Sequence, residues 1–467
     1  MSITGIRLRG FRGFKDTTIQ LKPLTVLLGP NSSGKSSFGH ALAAMAHAQR
    51  LYASTPQASL TPQGAGRGDW PIDLGGTRDL RTIGSAGPIT IGLETPDGFV
   101  DLGFGALSFT DELLLSFVNH PTGEQSTSAA TPSRATDVSP LVPPSGVVPV
   151  DSGIPAPSNS FQLHRVNQLQ WRDGERAAQV LLNGLTLLAV TPEIGTPRLL
   201  AKSAQDSVQT FLESLTYLGP GRKRPERQYD DEIGTYQAIG YCGEYTAAVL
   251  HRRQAEPVTY PEPAPVPSLN ASARIDSEWE RMDRPLLSAL NAWLGHLGLA
   301  QAVEPVMQGA PNSNIQLRVT LPGQSPHDIT EVGFGISQTV PILAAGLLQA
   351  EGSLLIVDLP EAHLHPRPQG LIADFFCSLI KSGRMALVET HSEMFFHRLR
   401  LRAAMDPKLA NDIEVYFIDE PKNGLCASPR RIELAYEGEL HWPEGFLQEG
   451  WELETKINIA RKLRESS

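Results

Sequence analysis

The chain has 467 residues, 40% of them hydrophobic, which is enough to bury a large core. Its 42 Gly and 37 Pro make about 17% of the residues, below the roughly 25–30% of low-complexity chains, so wholesale disorder is excluded. With 40 Lys plus Arg against 50 Asp plus Glu the formal charge is -10. That argues against a surface permanently coated by nucleic acid or anionic lipid and leaves polyanion binding to a local patch.

Three well-separated cysteines, Cys242, Cys377 and Cys426, offer neither a disulfide framework nor a CxxC metal motif. A reducing, cytoplasmic location is expected. No apolar run reaches a membrane span, and the N-terminus carries charges in a strand-like pattern where a signal peptide has its apolar core.

In chain order, Ile3 to Leu8, Thr17 to Leu21 and the apolar run Leu24 to Leu28 read as strands. Gly29 and Pro30 close the third, and the Ala-rich, Pro-free segment Ser36 to Leu51 reads as a helix. Pro88 to Leu93 and Phe99 to Leu107 alternate as strands around a turn. Pro121 to Ser160 then holds eight Pro, eight Ser and four charged residues in 40 positions, a composition expected of a mobile loop. Phe161 to Val190 suggests further strands, and Ala201 to Leu215 an amphipathic helix. Glu256 to Pro267, with five prolines, reads as a stiff linker. Asp276 to Leu299 reads as a helix interrupted by Pro285. After it come a strand at Gln316 to Leu321, a Gly-rich loop at Val332 to Gly335, and a helix from Ile336 to Gln349 despite Pro341. Leu354 to Val357 and Met385 to Val388 are short buried strands flanking a helix at Gln369 to Lys381. Strands alternating with helices mean a mainly parallel sheet.

Gly29-Pro30-Asn31-Ser32-Ser33-Gly34-Lys35-Ser36 fits GxxxxGK[ST] between a strand and a helix. The chemistry explains each position. The glycines let backbone N–H groups curl around phosphates, Lys35 neutralises their charge, Ser36 ligates Mg²⁺, and the helix N-terminus adds its positive dipole end. Such a loop needs a carboxylate at the tip of a neighbouring strand, and Leu354-Leu355-Ile356-Val357-Asp358 supplies one. Val388-Glu389-Thr390-His391-Ser392 places a histidine just beyond another buried strand, where it is either a packed histidine or one that senses the terminal phosphate or the attacking water. Gly333-Phe334-Gly335-Ile336-Ser337-Gln338 opens a helix, so Ser337 and free N–H groups can meet an anion.

That order of motifs resembles the ATP-binding-cassette-like heads of the soluble ATPases grouped with chromosome-maintenance, recombination-repair and overcoming-lysogenization-defect proteins. Leu8-Arg9-Gly10-Phe11-Arg12-Gly13-Phe14 is similar to their first strand, Gly333 to Gln338 to their signature motif, Asp358 to Pro366 to their Walker B and D-loop, and Glu389 to Glu393 to their switch histidine. A narrower likeness lies in Tyr217-Leu218-Gly219-Pro220 with Arg222, the Glu-Thr-His-Ser stretch, and His441-Trp442-Pro443-Glu444-Gly445-Phe446. These resemble a bacterial ATPase subfamily with a poorly characterised C-terminal domain, often found in anti-phage gene sets.

The resemblance implies an α/β ATPase head with a mainly parallel core sheet, an antiparallel β subdomain and inserted loops, without a long coiled coil. It implies a first part at residues 1–115, an insertion at 116–275 and a second part at 276–467. ATP and Mg²⁺ are the implied cofactors. Asn31, Ser32, Ser33, Gly34, Lys35, Ser36, Ser37 and Arg12 would contact nucleotide, with Ser337 reaching it from a second copy. Ser36 and Asp358 would hold Mg²⁺, while Asp358, Glu361 and His391 would serve catalysis. A homodimer or higher even oligomer and a separate effector protein follow as implied partners, and no membrane.

One position departs from the pattern. Transport-type cassettes place a catalytic Glu directly after the Walker B acid, whereas here Leu359 stands there and cannot polarise water. Glu361 is the nearest substitute, and the alternative is a nucleotide-gated sensor or scaffold with little turnover that holds a partner protein or nucleic acid. No Gln is assigned to the loop that usually joins Mg²⁺ to the helical subdomain. His363 and His365 lack a third ligand and do not make a zinc site. Arg222, Lys223, Arg224 and Arg227, with Arg252 and Arg253 and with Arg398, Arg400 and Arg402, are either solvated faces with internal salt bridges or local patches that could meet nucleic acid or an acidic partner. A nuclease domain is not expected, because no DxD cluster or second His/Asn site follows the His391 region.

Overall fold

The computed structural model describes residues 3–51, 74, 77–83, 88–106, 113–119, 160–165, 168–173, 176–183, 186–190, 202–232, 238–266, 278–308, 314–419 and 427–434. The Pro/Ser-rich stretch 121–159 and the tail motif at 441–446 lie outside the described residues. The chain divides into two compact units, Met1–Gln20 with His40–Leu215, and Leu21–Gly39 with Thr216–Ser467.

The elements begin with β1 (Gly5–Phe11), β2 (Phe14–Gln20), β3 (Leu24–Leu28), α1 (Ser36–Leu51) and α2 (Thr77–Leu80). The strands β4 (Ile89–Thr95), β5 (Gly98–Ala106), β6 (Leu113–Asn119), β7 (Ser160–Arg165), β8 (Gln168–Asp173), β9 (Arg176–Asn183) and β10 (Thr186–Val190) follow, and then α3 (Lys202–Ser214). In the first unit nine strands form one antiparallel sheet, in the order β10-β9-β8-β7-β6-β5-β4-β1-β2. Period-two alternation sets its faces. Ile6, Leu8, Ile19, Ile91, Leu93, Leu102 and Phe104 are buried, while Arg7 and Arg9, between the apolar residues of β1, are only half-buried.

The second unit continues with β11 (Thr216–Leu218), α4 (Thr246–Arg253), β12 (Pro257–Glu262), β13 (Glu280–Pro285), α5 (Leu286–Leu297), β14 (Ala302–Met307), β15 (Ile315–Thr320) and β16 (His327–Asp328). It ends with α6 (Phe334–Leu348), β17 (Leu354–Asp358), α7 (Pro366–Lys381), β18 (Met385–Glu389), α8 (Glu393–Met405), α9 (Pro407–Asn411), β19 (Ile413–Ile418) and β20 (Pro429–Ile432). Its main sheet runs β11-β17-β18-β3-β19-β20, parallel throughout except for β20. Every residue of β3, β17, β18 and β19 is buried. Such strands are covered on both faces and read as continuous apolar runs. Helix α7 packs on β18 and β3, and α6 on β17.

Two sequence expectations change here. The Pro-rich stretch predicted as a linker forms β12, paired in register with β13 from Pro257↔Pro285 to Glu262↔Glu280. Its pattern decides this: Val258 and Tyr260 point inward, and proline is tolerated because the ribbon has only two strands. Side chains occupy the carbonyls of this strand, with Arg384 donating to Thr259 at 3.0 Å and Ser378 to Pro261 at 2.5 Å. The helix predicted from Asp276 begins only after Pro285, whose extended backbone (φ -56°, ψ 145°) caps α5; the residues before it are β13.

Candidate nucleotide site

A parallel sheet gathers the C-terminal ends of its strands along one edge, and ligands of such sheets bind there. Here β3, β18 and β17 are neighbours, so the loop after β3, Glu389 at the end of β18 and Asp358 at the end of β17 lie side by side. Asp358 and Glu389 are register partners.

The loop after β3 has the backbone its glycines require. Gly29 has φ 142°, and a Cβ there would drive into the carbonyl oxygen of Ile418 at the end of β19. Gly34 (φ 101°) and Ser32 (φ 64°) also take positive φ, the curl that turns successive N–H groups inward. Asn31 and Ser32 are exposed, whereas Ser33, Lys35 and Ser37 are buried. The Lys35 ammonium folds back to donate to the carbonyls of Gly29 (3.0 Å) and Pro30 (2.5 Å). Burial lowers its pKa, and the carboxylates of Glu389 and Glu361 pull it back up. The Ser33 hydroxyl is buried without a hydrogen-bond partner.

Asp358 is buried, and Tyr217 from β11 donates its hydroxyl to Asp358 Oδ2 at 2.7 Å. Burial, reinforced by the charge of Glu389, pushes the Asp358 carboxyl up to about 7. Leu359 follows in a left-handed conformation (φ 49°). Arg222 holds that turn: its guanidinium donates to the carbonyls of Gly219 (3.2 Å), Asp358 (3.0 Å) and Leu359 (2.7 Å). Burial lowers the Arg222 pKa to about 10, still far above neutrality.

Glu361 is buried beyond the turn, with Oε1 accepting from the His391 backbone N–H at 2.7 Å and Oε2 unpartnered. Its pKa is raised by burial against the pull of that N–H. Glu389 receives a hydrogen bond from the Ser36 hydroxyl, its Oε2 is also unpartnered, and burial raises its pKa. The His391 ring is exposed, bonds to the Gly29 carbonyl, and has its pKa lowered by partial burial and by Lys35.

The segment Gly333 to Gln338 forms the first turn of α6 against the D-loop-like turn. A Cβ on Gly335 would meet the His363 carbonyl at 2.7 Å, and the exposed Phe334 ring stands edge-on to His363 at 4.7 Å. Ser337 is buried, its hydroxyl donating to the Phe334 carbonyl at 2.7 Å. Arg12 belongs to the other unit, where it has φ 49° and contacts His40 Nδ1 at 2.8 Å. The structure thus groups Lys35, Ser36, Asp358, Glu361, Glu389 and His391, while Arg12 and Ser337 have contacts of their own.

Tyr217 and Glu389 are the site residues that sequence reasoning left without a role, and Arg222, read there as part of a patch for nucleic acid, is buried on the turn after Asp358. Several of the basic residues are committed elsewhere. Arg222 serves the turn, Arg252 pairs with Asp231 and Arg253 with Glu256, and Arg398 and Arg402 both grip the fully buried Asp374. Among the described residues no group of three His, Cys, Asp or Glu side chains is arranged to hold a metal unaided, and no helix is long and apolar enough to cross a membrane.

Residues 1–112 match the AAA ATPase domain. That span contains the phosphate loop and ends well before Asp358. Among solved structures, the chromosome-maintenance (SMC) head domain from Thermotoga maritima aligns at 12% identity with a TM-score of 0.36, covering 93% of this chain and all of that one. An SMC head bound to the C-winged helix domain of ScpA aligns at 11% identity and 0.42, covering 93% and 99%. An SMC head with an extended coiled coil, bound to the C-terminal domain of ScpA from Pyrococcus furiosus, aligns at 10% and 0.40, covering 99% of each chain. No curated protein matches this chain.

Proposed function

We propose that this chain binds ATP with Mg²⁺ and hydrolyses it as an ATP-binding-cassette-like head. The observation that carries the reading is the meeting of the Lys35 loop, Asp358 and Glu361 with His391 beside the ends of three neighbouring parallel strands. The residues fit a magnesium nucleotide. The loop backbone is curled, Ser33 has an unbonded buried hydroxyl, and Glu361 and Glu389 have unbonded buried oxygens, all polar atoms awaiting a partner. Ser36 and Asp358 would hold Mg²⁺, which when bound neutralises phosphate charge. Lys35 would exchange its two carbonyls for phosphate oxygens. Glu361, fixed by the His391 N–H, would orient the attacking water, and His391 would report the terminal phosphate.

In this reading two copies close head-to-head around ATP, with Ser337 of one facing the nucleotide of the other, as a homodimer or higher even oligomer. The state with ATP then differs from the state without it by contacts that exist only in the closed form, which makes the chain a switch or motor for a separate effector protein. The sequence resemblance described above supports the dimer, the effector and an anti-phage setting. Leu359 favours a second reading, a nucleotide-gated sensor with little hydrolysis.

ATP binding by calorimetry and steady-state phosphate release test both. Lys35→Ala should abolish binding, and unchanged affinity in that variant would sink the site. Turnover that is lost in Glu361→Gln supports the ATPase; negligible turnover in both proteins supports the sensor.

A further inference from the structure

Glu389 has no role in the reading above, yet its surroundings are those of a metal ligand. It ends β18 opposite Asp358 across the parallel pair, and the Leu359 N–H donates to its backbone carbonyl at 2.8 Å. Glu389 is 8% exposed, and its carboxylate accepts from the Ser36 hydroxyl and leaves Oε2 without a partner. Asp358 faces the same helix start: a Cβ on Gly39, in the first turn of α1, would come 3.7 Å from Asp358 Oδ1. Ser36, Asp358 and Glu389 therefore place one hydroxyl and two carboxylates around the first turn of α1.

Charge strengthens the case. Three buried carboxylates, Asp358, Glu361 and Glu389, face two fixed cations, Lys35 and Arg222. A polyphosphate entering that excess of negative charge is repelled unless a cation enters with it. Glu389 is bonded to Ser36 and Asp358 lies against the same helix turn, and among the described residues no three acids or imidazoles make a metal cage alone, so the ion must complete its shell with phosphate oxygens and water. That division suits Mg²⁺, which takes hard oxygen ligands and keeps several waters. Glu361 is already held by the His391 N–H, whereas Glu389 is held only by the hydroxyl that itself belongs to the ion site.

We propose that Glu389 is a ligand of the divalent cation, completing with Ser36 and Asp358 the protein's share of its coordination. The proposal rests on the nucleotide-binding reading, and one experiment separates the two. ATP binding is titrated by calorimetry in MgCl₂, in MnCl₂ and in EDTA for wild type, Glu389→Gln and Glu389→Asp. Electron paramagnetic resonance of Mn²⁺ in the ATP complex is read alongside. If Glu389 is a ligand, the affinity that the cation adds in wild type falls by about 10–100-fold in Glu389→Gln. Affinity in EDTA holds or rises because a repulsive charge is gone, and the bound-Mn²⁺ signal is lost. Glu389→Asp, which keeps the charge but withdraws it, falls between. If Glu389→Gln fails to fold, Glu389→Asp decides alone, a reduced gain supporting the assignment. A full cation gain in the folded variants overturns the assignment and leaves nucleotide binding standing. Failure of wild type to bind ATP under any of the three conditions overturns both.

Discussion

The two large sheets treat their polar residues in opposite ways. In the antiparallel sheet of the first unit, charges on β1 and β5 pair over the strand between them, β4. Asp101 on β5 receives Arg7 at 3.3 Å and Arg9 at 3.6 Å from β1, and the Arg7 guanidinium lies 3.6 Å above the Phe99 ring. Alternation places Arg7, Arg9 and Asp101 on one face, and Gly92 on β4, which has no side chain, lets Arg7 and Asp101 meet above it. In the parallel sheet of the second unit Arg431 on β20 pairs with Glu414 on β19 at the edge, but the central strands β17 and β18 carry no such pair. Their polar residues sit at the tips, where Asp358, Glu361 and Glu389 share too few cations, and buried oxygens remain unbonded. A satisfied network stabilises a fold, whereas an unsatisfied one at strand ends is poised for a ligand.

Four substitutions sharpen or break that contrast, from the largest expected effect to the smallest. Gly29→Ala should be the most damaging, because φ 142° and the Ile418 carbonyl leave no room for a Cβ. We expect loss of nucleotide binding together with a lowered Tm, and wild-type binding would show that the loop is not built as described. Arg222→Ala should cost about 3 kcal/mol in denaturant unfolding, since it strips donors from three carbonyls. Turnover should fall as well, because Leu359 loses its clamp. A variant with normal turnover would detach the clamp from catalysis.

Asp358→Asn tests the charge excess through pH. The folded state holds the Asp358 proton up to about pH 7, against 3.8 as the ordinary value. Its contribution to stability is therefore full below about pH 4 and lost as pH rises through 7. Nucleotide-free wild type should lose Tm across that window, and Asp358→Asn should lose less; parallel curves would refute the cause. Asp101→Asn is the control in the antiparallel sheet. It should lower stability by about 1 kcal/mol and leave ATP affinity unchanged, and a large binding defect would erase the distinction between the regions.

Three strands of the parallel sheet, β3, β17 and β18, were legible because each is a short and nearly unbroken apolar run, whereas β19, with Glu414 inside it, was not read; the helix at Ser36 to Leu51 coincides with its sequence reading. The phosphate loop and Asp358 were legible because their chemistry is local. Tyr217 and Arg222 were not, since they act on residues 136 to 141 positions away and only the pairing of β11 with β17 joins them. Glu389 stood in plain sight beside His391, but its meaning depends on lying opposite Asp358, a fact of register and not of motif. β12 was hidden by its prolines. Counting them gave a linker, while the inward spacing of Val258 and Tyr260 gives a strand.

The place of β3 has a consequence for how the chain comes to be made. It lies between β18 and β19, bonded to both, so a strand formed by residues 24–28 waits for partners at 385–389 and 413–418. On the ribosome those partners emerge long after it. The phosphate loop therefore stays unformed, with an apolar strand lacking neighbours, until they do. Closing so long a loop is slow, and an unpaired apolar edge invites aggregation in the meantime. A phosphate loop that can form only once two distant strands have been made is a consequence of topology before it is a property of any motif.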